Sequence, residues 1–286
     1  MTRPAVDVVV PFAGSDAALE DLLRRVRAIE LGPGDTLTVV DNRAEAQTRE
    51  PDLIAAPGQP SSYYARNRGA ERGSAPWILF MDADVEPPAD LVERYFDVEP
   101  GDDVGVLAGG IADAPLPAAP TVAERYAVSA EQMSQENTLR AGAWAYAQTA
   151  NAMFRRSAFA EVGGFEEGIR SGGDADICFR IRVAGWKLEG RLDARIVHEN
   201  RSTVKAFFRQ KARHGAGAAW LDRRYPGAFP ARPRRVWLRR LLREIKMSIP
   251  MLLRGERDEP ARLLFATIAV WSFELGRFLP NRVKSR

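Results

Sequence analysis

Two aspartates, Asp82 and Asp84, follow an apolar run over 77–81, with only Ala83 between them. Mg²⁺ and Mn²⁺ prefer oxygen ligands, and Mg²⁺ often takes one or two carboxylates together with substrate phosphates. Side chains alternate along a strand, so both carboxylates reach one ion only if the chain turns there. Pro87-Pro88 indicates that the strand has ended. The pattern favours a metal site, although a polar turn after a core strand gives the same residues.

A second acidic pair, Asp174 and Asp176, follows Gly172-Gly173 at the start of a predicted helix that runs to Ala184. Residues two apart do not share a helix face. If Asp174 faces a crevice, Asp176 points elsewhere and can pair with Arg180 near the positive end of the helix. A carboxylate in a partly dry crevice is a plausible general base for a hydroxyl nucleophile. Both residues are alternatively ordinary capping residues.

His198 is one of only two histidines and follows a short strand pattern. It is a candidate metal ligand or phosphate contact, and otherwise a structural or surface histidine. The single cysteine, Cys178, excludes an internal disulfide framework and any multi-cysteine metal site. Its apolar neighbours predict a small buried side chain rather than a nucleophile.

Strand and helix patterns alternate along the chain, which predicts an α/β fold with a mostly parallel sheet covered on both faces. Ligands bind such sheets outside the carboxyl ends of the strands, so Asp41, Asp82 and Asp84 are expected to face one crevice. No Gly-x-Gly-x-x-Gly or Walker-type loop is present, which weakens dinucleotide and P-loop interpretations. The predicted strands are 6–11, 36–40, 77–81 and 104–107, and the helices are 16–29, 61–73, 91–96 and 122–139.

The C-terminal part is basic and amphipathic. The chain has 286 residues and a net charge of +3, yet residues 232–262 hold ten Lys or Arg against four Asp or Glu. We therefore expect a catalytic domain over 1–225 and a helical extension over 226–286. Basic amphipathic helices bind membrane surfaces or nucleic acid, or have solvated charged faces. Membrane contact and packing on the catalytic domain or on a second copy in a homodimer both stay open, whereas nucleic acid is disfavoured without a recognition motif.

The N-terminal residues 1–5 lead into a strand without a signal-peptide hydrophobic region. The longest apolar run, 263–273, is too short to span a bilayer. We expect a cytoplasmic protein, with peripheral attachment to the inner membrane face as an option.

Several segments, in the order in which they occur along the chain, resemble those of the bacterial family 2 glycosyltransferases with the nucleotide-diphospho-sugar (GT-A) fold. The resemblance covers about residues 5–220. Residues 8–11 resemble the opening strand, and 38–42 resemble the second strand, whose aspartate contacts the nucleotide base. Residues 65–70 resemble the run into the family's Asp-x-Asp motif, 149–156 the acceptor-side segment, and 173–176 the segment that carries the catalytic base.

The resemblance implies a divalent metal-dependent, inverting enzyme that moves a sugar from a nucleotide-diphospho-sugar to a hydroxyl. A UDP-sugar is favoured over GDP- and dTDP-sugars, and the acceptor is a glycan, a lipid-linked molecule or a small molecule. It implies Asp174 as base, with Asp176 as rival, and Mn²⁺ or Mg²⁺ on Asp84, on Asp82 through water, and on His198. The implied donor contacts are Pro11, Asp41, Arg66, Asp82, Ala83 and Asn151.

Two segments depart from the family pattern. Gly173 stands where the family has a glutamate before the base, and Arg43-Ala44-Glu45 stand where a serine and another aspartate often follow the second strand. A nucleotidyltransferase of the same fold is an alternative, but residues 12–16 lack its glycine-rich basic loop. A non-catalytic nucleotide-sugar-binding partner is another, which the joint presence of the three acidic candidates and His198 disfavours.

Overall fold

The computed structural model describes residues 3–48, 50–131, 133–200 and 202–284, and an eight-stranded sheet lies at its centre. The strand order is β3-β2-β1-β4-β7-β6-β8-β5. The first four strands in this order are parallel, whereas β7 runs antiparallel to β4 and β6, and β5 antiparallel to β8. The predicted α/β class is confirmed, with more antiparallel pairing than the alternating pattern indicated. The strands are β1 (Val6–Phe12), β2 (Thr36–Asp41), β3 (Leu53–Ala55), β4 (Trp77–Met81), β5 (Val85–Glu86), β6 (Val104–Asp113), β7 (Asn151–Arg155) and β8 (Lys187–His198).

The helices follow most of the predicted patterns, and serine side chains cap several of them. Ser61 accepts a hydrogen bond from the Tyr64 amide, as its N-cap position predicts. The pattern over 122–139 forms two helices instead of one, because Glu131 has a φ of 45° and Ser134 caps a new helix. The helices are α1 (Asp16–Val26), α2 (Ser62–Arg72), α3 (Leu91–Arg94), α4 (Val122–Ser129), α5 (Gln135–Leu139), α6 (Arg156–Glu161), α7 (Gly173–Val183), α8 (Val204–Arg224), α9 (Arg234–Leu253) and α10 (Asp258–Gly276).

The two faces of the sheet bury separate hydrophobic clusters. Val8 and Val10 of β1 pack on the side of α1 and α3, while Val9 packs on the side of α2 and α7. This division follows from the alternation of side chains along a strand. The Phe80 and Phe165 rings lie 5.2 Å apart, centroid to centroid, within an aromatic cluster on the second side. These clusters fix α2 and α7 against the sheet, close to the strand ends that carry the acidic residues.

The C-terminal helices pack on the rest of the molecule rather than projecting from it. Helix α10 crosses α8 so closely that a Cβ at Gly215 would lie 1.8 Å from the Phe273 carbonyl oxygen, and one at Gly276 would lie 2.1 Å from that of Ala212. Phe265 of α10 also joins a cluster with α4 and α8. The division at residue 225 stays a prediction, since the two parts share a hydrophobic interface. Within the described ranges, none of the helices is long and apolar enough to cross a membrane.

Candidate active site

The turn between β4 and β5 carries the Asp82-Ala83-Asp84 segment, so the chain turns there as predicted. The turn sends the two carboxylates to different partners. Asp82 accepts a hydrogen bond from the Arg66 guanidinium, while the Asp84 Oδ1 lies 3.6 Å from the His198 Nε2. The Ala83 carbonyl accepts from Arg25 at 3.1 Å, which helps hold the turn. Of the three predicted metal ligands, the structure brings Asp84 and His198 together and turns Asp82 towards Arg66.

The edge strand β5 and its neighbour β8 position the Asp84–His198 pair. His198 is the last residue of β8 and lies opposite Val85 in β5, and the Glu199 amide donates to the Asp84 carbonyl at 3.0 Å. His198 is only 6 % exposed, and its Nδ1 is buried without a hydrogen-bond partner. An oxygen and a nitrogen 3.6 Å apart can both reach one ion at ~2.1 Å.

The described residues contain no group of three or more His, Cys, Asp or Glu side chains suited to a metal ion. A cation bound by Asp84 and His198 would therefore need oxygens from a ligand to complete its coordination. This fits the preference of Mg²⁺ for few protein carboxylates and several substrate phosphate oxygens. Asp84 and His198 thus fit a metal ion whose remaining coordination positions are filled by oxygens of a diphosphate.

A buried positive charge contacts Asp82, two residues before Asp84. Arg66 of α2 is 3 % exposed, and its guanidinium lies over the rings of Tyr63 and Phe165 at 5.8 and 5.9 Å from their centroids. Its Nε is buried without a hydrogen-bond partner. Because Asp82 holds the other end of the guanidinium, Arg66 is fixed in place and retains a free donor.

Asp174 lies in the first turn of α7 and accepts two hydrogen bonds from Thr149. The Thr149 hydroxyl donates to Oδ1 at 2.9 Å, and its amide donates to Oδ2 at 3.3 Å. Burial raises the pKa of Asp174 above the usual aspartate value; the Arg66 guanidinium opposes this shift and the Asp82 carboxylate adds to it. The structure therefore brings Asp174, Arg66 and Asp82 into one electrostatic cluster, and the raised pKa suits a proton acceptor.

Asp176 points the other way, into the protein. It is fully buried, and its carboxylate accepts from the Arg180 Nε at 2.9 Å and from the Tyr225 hydroxyl at 2.8 Å. The predicted pairing with Arg180 is confirmed. This environment gives Asp176 a structural role between α7 and α8, and leaves Asp174 as the carboxylate that can meet a ligand.

The glycine before Asp174 makes room for a tyrosine of α2. The Gly173 amide donates to the Tyr63 hydroxyl at 2.9 Å, and a Cβ at Gly173 would lie 2.5 Å from the Tyr63 ring. A glutamate at this position would displace that ring. The sequence did not connect Tyr63 or Thr149 with Asp174: Tyr63 lies outside the segments that resemble the family, and Thr149 begins the segment 149–156, whose contact with Asp174 depends on folding.

Asp41 ends β2 and is only 2 % exposed. Both of its carboxylate oxygens accept from Arg43, at 3.0 Å for the Nε–Oδ1 bond and 2.7 Å for the Nη2–Oδ2 bond. The Arg43 guanidinium also lies 5.6 Å from the centroid of the Phe12 ring. Pro11 is buried in β1 opposite Val40. Contacts of Pro11 and Asp41 with a nucleotide base stay predictions, and Arg43 covers the Asp41 oxygens in this structure.

The structure does not bring Asn151 into the crevice. Asn151 is fully buried at the start of β7, where its amide group donates to the carbonyls of Gly110 at 2.9 Å and Ala194 at 2.8 Å. Its Oδ1 accepts from the Tyr95 hydroxyl at 2.8 Å. These bonds tie β7 to β6 and β8 and engage the Asn151 side chain within the sheet, and its contact with a donor stays a prediction.

The C-terminal end of the chain holds the loop that leads to Asp174. The Arg170 amide donates to the Asn281 carbonyl and the Val283 amide donates to the Gly168 carbonyl, both at 3.0 Å. The Asn281 side chain donates to the Ser171 carbonyl at 2.9 Å. This short strand-like contact connects residues 281–283 to the loop 168–171, which precedes the candidate base.

For the sugar transfer that the family resemblance implies, we expect Asn281→Ala to lower turnover several-fold without changing donor affinity, because a lost hydrogen bond of ~1 kcal/mol loosens the loop before Asp174. The measurement is kcat and donor KM at a fixed acceptor concentration. Asn137→Ala, which removes a surface amide bonded to Glu131, is the control and should change neither. If Asn281→Ala leaves kcat unchanged, the contact made by residues 281–283 does not help to position the candidate active site.

The chain is similar in sequence to known glycosyltransferases. A family model described as "Glycosyl transferase family group 2" matches residues 77–272. The pre-mycofactocin glycosyltransferase of Mycobacterium tuberculosis is 26% identical over 226 residues, which cover 77% of this chain and 48% of that protein. The chain thus spans about half the length of the curated relatives it matches in that organism.

Two solved structures share the fold at low sequence identity. The mannosyltransferase PcManGT of Pyrobaculum calidifontis, in complex with GDP-Man and Mn²⁺, superposes with a TM-score of 0.58 at 17% identity, covering 96% of this chain and 88% of that one. Glucosyl-3-phosphoglycerate synthase of Mycobacterium tuberculosis, in complex with Mn²⁺, UDP-glucose and phosphoglyceric acid, gives a TM-score of 0.53 at 16% identity, covering 77% and 79%. Because the family model covers well over half of the sequence and the sheet has the same architecture, this chain belongs to the glycosyl transferase family group 2 and has the GT-A fold.

Proposed function

We propose that the chain transfers a sugar from a nucleotide-diphospho-sugar to an acceptor hydroxyl, in a divalent metal-dependent reaction that inverts the anomeric centre. The observation that carries this proposal is the grouping of Asp174, held by Thr149, with the Arg66–Asp82 pair. Asp84 follows Asp82 in the same turn and faces His198 at the end of β8. This arrangement combines a proton acceptor, a fixed cation and a possible metal site.

Asp84 and His198 would hold the metal, with the donor diphosphate supplying further oxygens. When bound, Mn²⁺ or Mg²⁺ neutralises charge on the leaving nucleoside diphosphate as a Lewis acid. The imidazole ligand favours Mn²⁺ over Mg²⁺, because Mg²⁺ sites are built mainly from oxygens. Arg66, which has an unused buried donor, would add a second fixed positive charge near the phosphates.

Asp174 would take the proton of the acceptor hydroxyl. As the acceptor oxygen bonds to the anomeric carbon, the bond from that carbon to the diphosphate oxygen breaks and the hydroxyl proton moves to the Asp174 carboxylate. Thr149 orients the carboxylate through two hydrogen bonds, and the raised pKa brings its basicity closer to that useful near neutral pH. One displacement of this kind inverts the configuration.

The donor and acceptor are proposed only by class. PcManGT was solved with GDP-Man and the synthase with UDP-glucose, so the fold accommodates either nucleotide, and a UDP-sugar is the first donor to test. The acceptor would be a hydroxyl of a glycan, of a lipid-linked molecule or of a small molecule. Arg43, which covers Asp41, would have to move or share that carboxylate when a base binds.

The experiment is a thermal-shift screen of UDP-, GDP- and dTDP-sugars with and without Mn²⁺, followed by donor hydrolysis with the best ligand. The proposal expects stabilisation by one donor class that depends on Mn²⁺, and slow Mn²⁺-dependent release of the nucleoside diphosphate. Binding without any hydrolysis or transfer would favour a nucleotide-sugar-binding partner. Release of pyrophosphate from a nucleoside triphosphate and a sugar phosphate would favour a nucleotidyltransferase.

A further inference from the structure

Helix α9 exposes a continuous apolar row to solvent. The row consists of residues four, three, four and three positions apart, which places them on one face of the helix. It runs about 21 Å along the helix axis at 1.5 Å per residue. Its members and their exposed fractions are Leu238 (53 %), Leu242 (59 %), Ile245 (41 %), Ile249 (54 %) and Leu252 (51 %).

A row of cations flanks the apolar row, roughly a quarter turn around the helix. This basic row consists of Arg235, Arg239, Arg243 and Lys246, and all four residues are exposed. The acid within α9, Glu244, is 2 % exposed and accepts from Arg243 at 2.7 Å. The outward surface of α9 therefore combines apolar side chains with positive charge and presents no carboxylate.

The inner side of α9 is mixed: Trp237 packs on Trp271 of α10 with ring centroids 6.3 Å apart and Leu241 is half-buried, but polar residues are buried there as well. Glu244 and Ser248 are the buried residues of α9, and Thr267 and Glu274 are buried in the neighbouring α10. The Ser248 and Thr267 hydroxyls and one oxygen each of Glu244 and Glu274 have no hydrogen-bond partner. A helix that faces only water buries its apolar stripe and exposes its polar one. The outer face of α9 is thus built for an apolar neighbour.

We infer that α9 lies flat on the surface of an anionic lipid bilayer, with the apolar row in the acyl boundary and the basic row among the headgroups. Amphipathic helices with cations beside a large apolar face bind membranes in this orientation. The attraction to anionic headgroups adds for each Lys or Arg near the surface. No helix in the described ranges is suited to span the bilayer, so the contact is interfacial.

The charge pattern favours a lipid surface over a second copy of the chain. In a symmetric dimer formed through two antiparallel α9 helices, the same patch meets itself, so the basic row of one copy would lie close to that of the other. Like charges without intervening carboxylates oppose such a contact. A bilayer containing anionic lipid supplies the opposite charge along the whole row. This inference does not depend on the donor chemistry, because the rows lie on α9 and not at the candidate active site.

The test is sedimentation of the full-length chain with vesicles of phosphatidylcholine alone and of phosphatidylcholine mixed with phosphatidylglycerol. We expect binding to the mixed vesicles that weakens with salt, and little binding to the neutral ones. Arg239→Gln/Arg243→Gln/Lys246→Gln should weaken binding to mixed vesicles by at least about tenfold. Leu242→Gln/Ile245→Gln/Ile249→Gln should weaken it as strongly and remove the residual binding at high salt.

The matched control is Val98→Gln/Val183→Gln, which removes two apolar side chains of 64 % and 86 % exposure outside α9 and should bind as the parent does. Each variant is first checked for an unchanged melting temperature. The inference is overturned if the parent chain stays in the supernatant with mixed vesicles. It is also overturned if the apolar triple variant binds normally, or if that variant turns a parent dimer into a monomer in sedimentation velocity while the parent ignores vesicles.

Discussion

Asp174→Asn is expected to lower the rate of sugar transfer by about a thousandfold while leaving Mn²⁺-dependent donor binding intact. Removing a general base commonly costs 10² to 10⁴ in rate. The asparagine can keep the Thr149 contacts, with its carbonyl oxygen accepting from the amide and its amide group donating to the hydroxyl. The measurements are kcat with the donor and acceptor found by screening, and the donor Kd with Mn²⁺.

The pH dependence of the parent enzyme gives a second readout. Because burial raises the pKa of Asp174, the acid limb of kcat/KM should lie above the usual aspartate range, and activity should rise as the carboxyl loses its proton. A carboxyl with a raised folded pKa stabilises the fold only when protonated, and that contribution is lost as the pH rises through this pKa. Asp174→Asn should therefore match or exceed the parent in melting temperature at neutral pH and lose any advantage in acid.

Asp176→Asn is the comparison that separates the two rival bases. It breaks a buried network with Arg180 and Tyr225, so it should lower the melting temperature markedly, while the folded fraction keeps most of its turnover. If Asp174→Asn remains active and the folded Asp176→Asn protein is inactive, the base is Asp176 and our assignment is wrong.

Asp84→Ala is expected to abolish the effect of Mn²⁺ on donor binding and to lower kcat/KM by at least about a hundredfold. A bound metal stabilises the negative charge on a diphosphate leaving group by several kcal/mol in the transition state, and the Asp84 carboxylate lies 3.6 Å from His198. Isothermal titration of the donor with and without Mn²⁺ measures the first effect. His198→Gln should act in the same direction, because it removes the second proposed ligand.

Asp102→Ala is the control for the loss of an acid. Asp102 is exposed and precedes the start of β6, whereas His198 pairs with Asp113 at the other end of that strand, so removal of Asp102 should leave Mn²⁺-dependent binding unchanged. Comparison of Asp82→Ala with Asp84→Ala decides which aspartate of the turn binds the metal ion. If Asp82→Ala loses the metal effect and Asp84→Ala keeps it, the ion binds on Asp82 after Arg66 has moved away.

Local pattern was enough to predict the first strands and helices. The apolar run Trp77–Met81 forms β4 with the predicted bounds, and Ser61 caps α2, because burial and capping depend on residues close in sequence. The antiparallel placement of β7 was not predicted, since pairing between Met81 and Asn151 depends on residues that are distant in the chain. The contact between the Gly173 amide and Tyr63 was not predicted either, because these residues are also distant in the sequence.

The sequence by itself determined the residue types and their order: two carboxylates after β4, an aspartate at the start of α7, and a histidine at the end of β8. The tertiary structure alone decided which of them meet. It placed Asp84 against His198, turned Asp82 to Arg66, and buried Asp176 and Asn151 in supporting networks. It also left the apolar row of α9 exposed with polar residues beneath it. The physical reason is that residue type and spacing limit what a side chain can do, whereas its burial, its pKa and its partners depend on elements that only folding brings together.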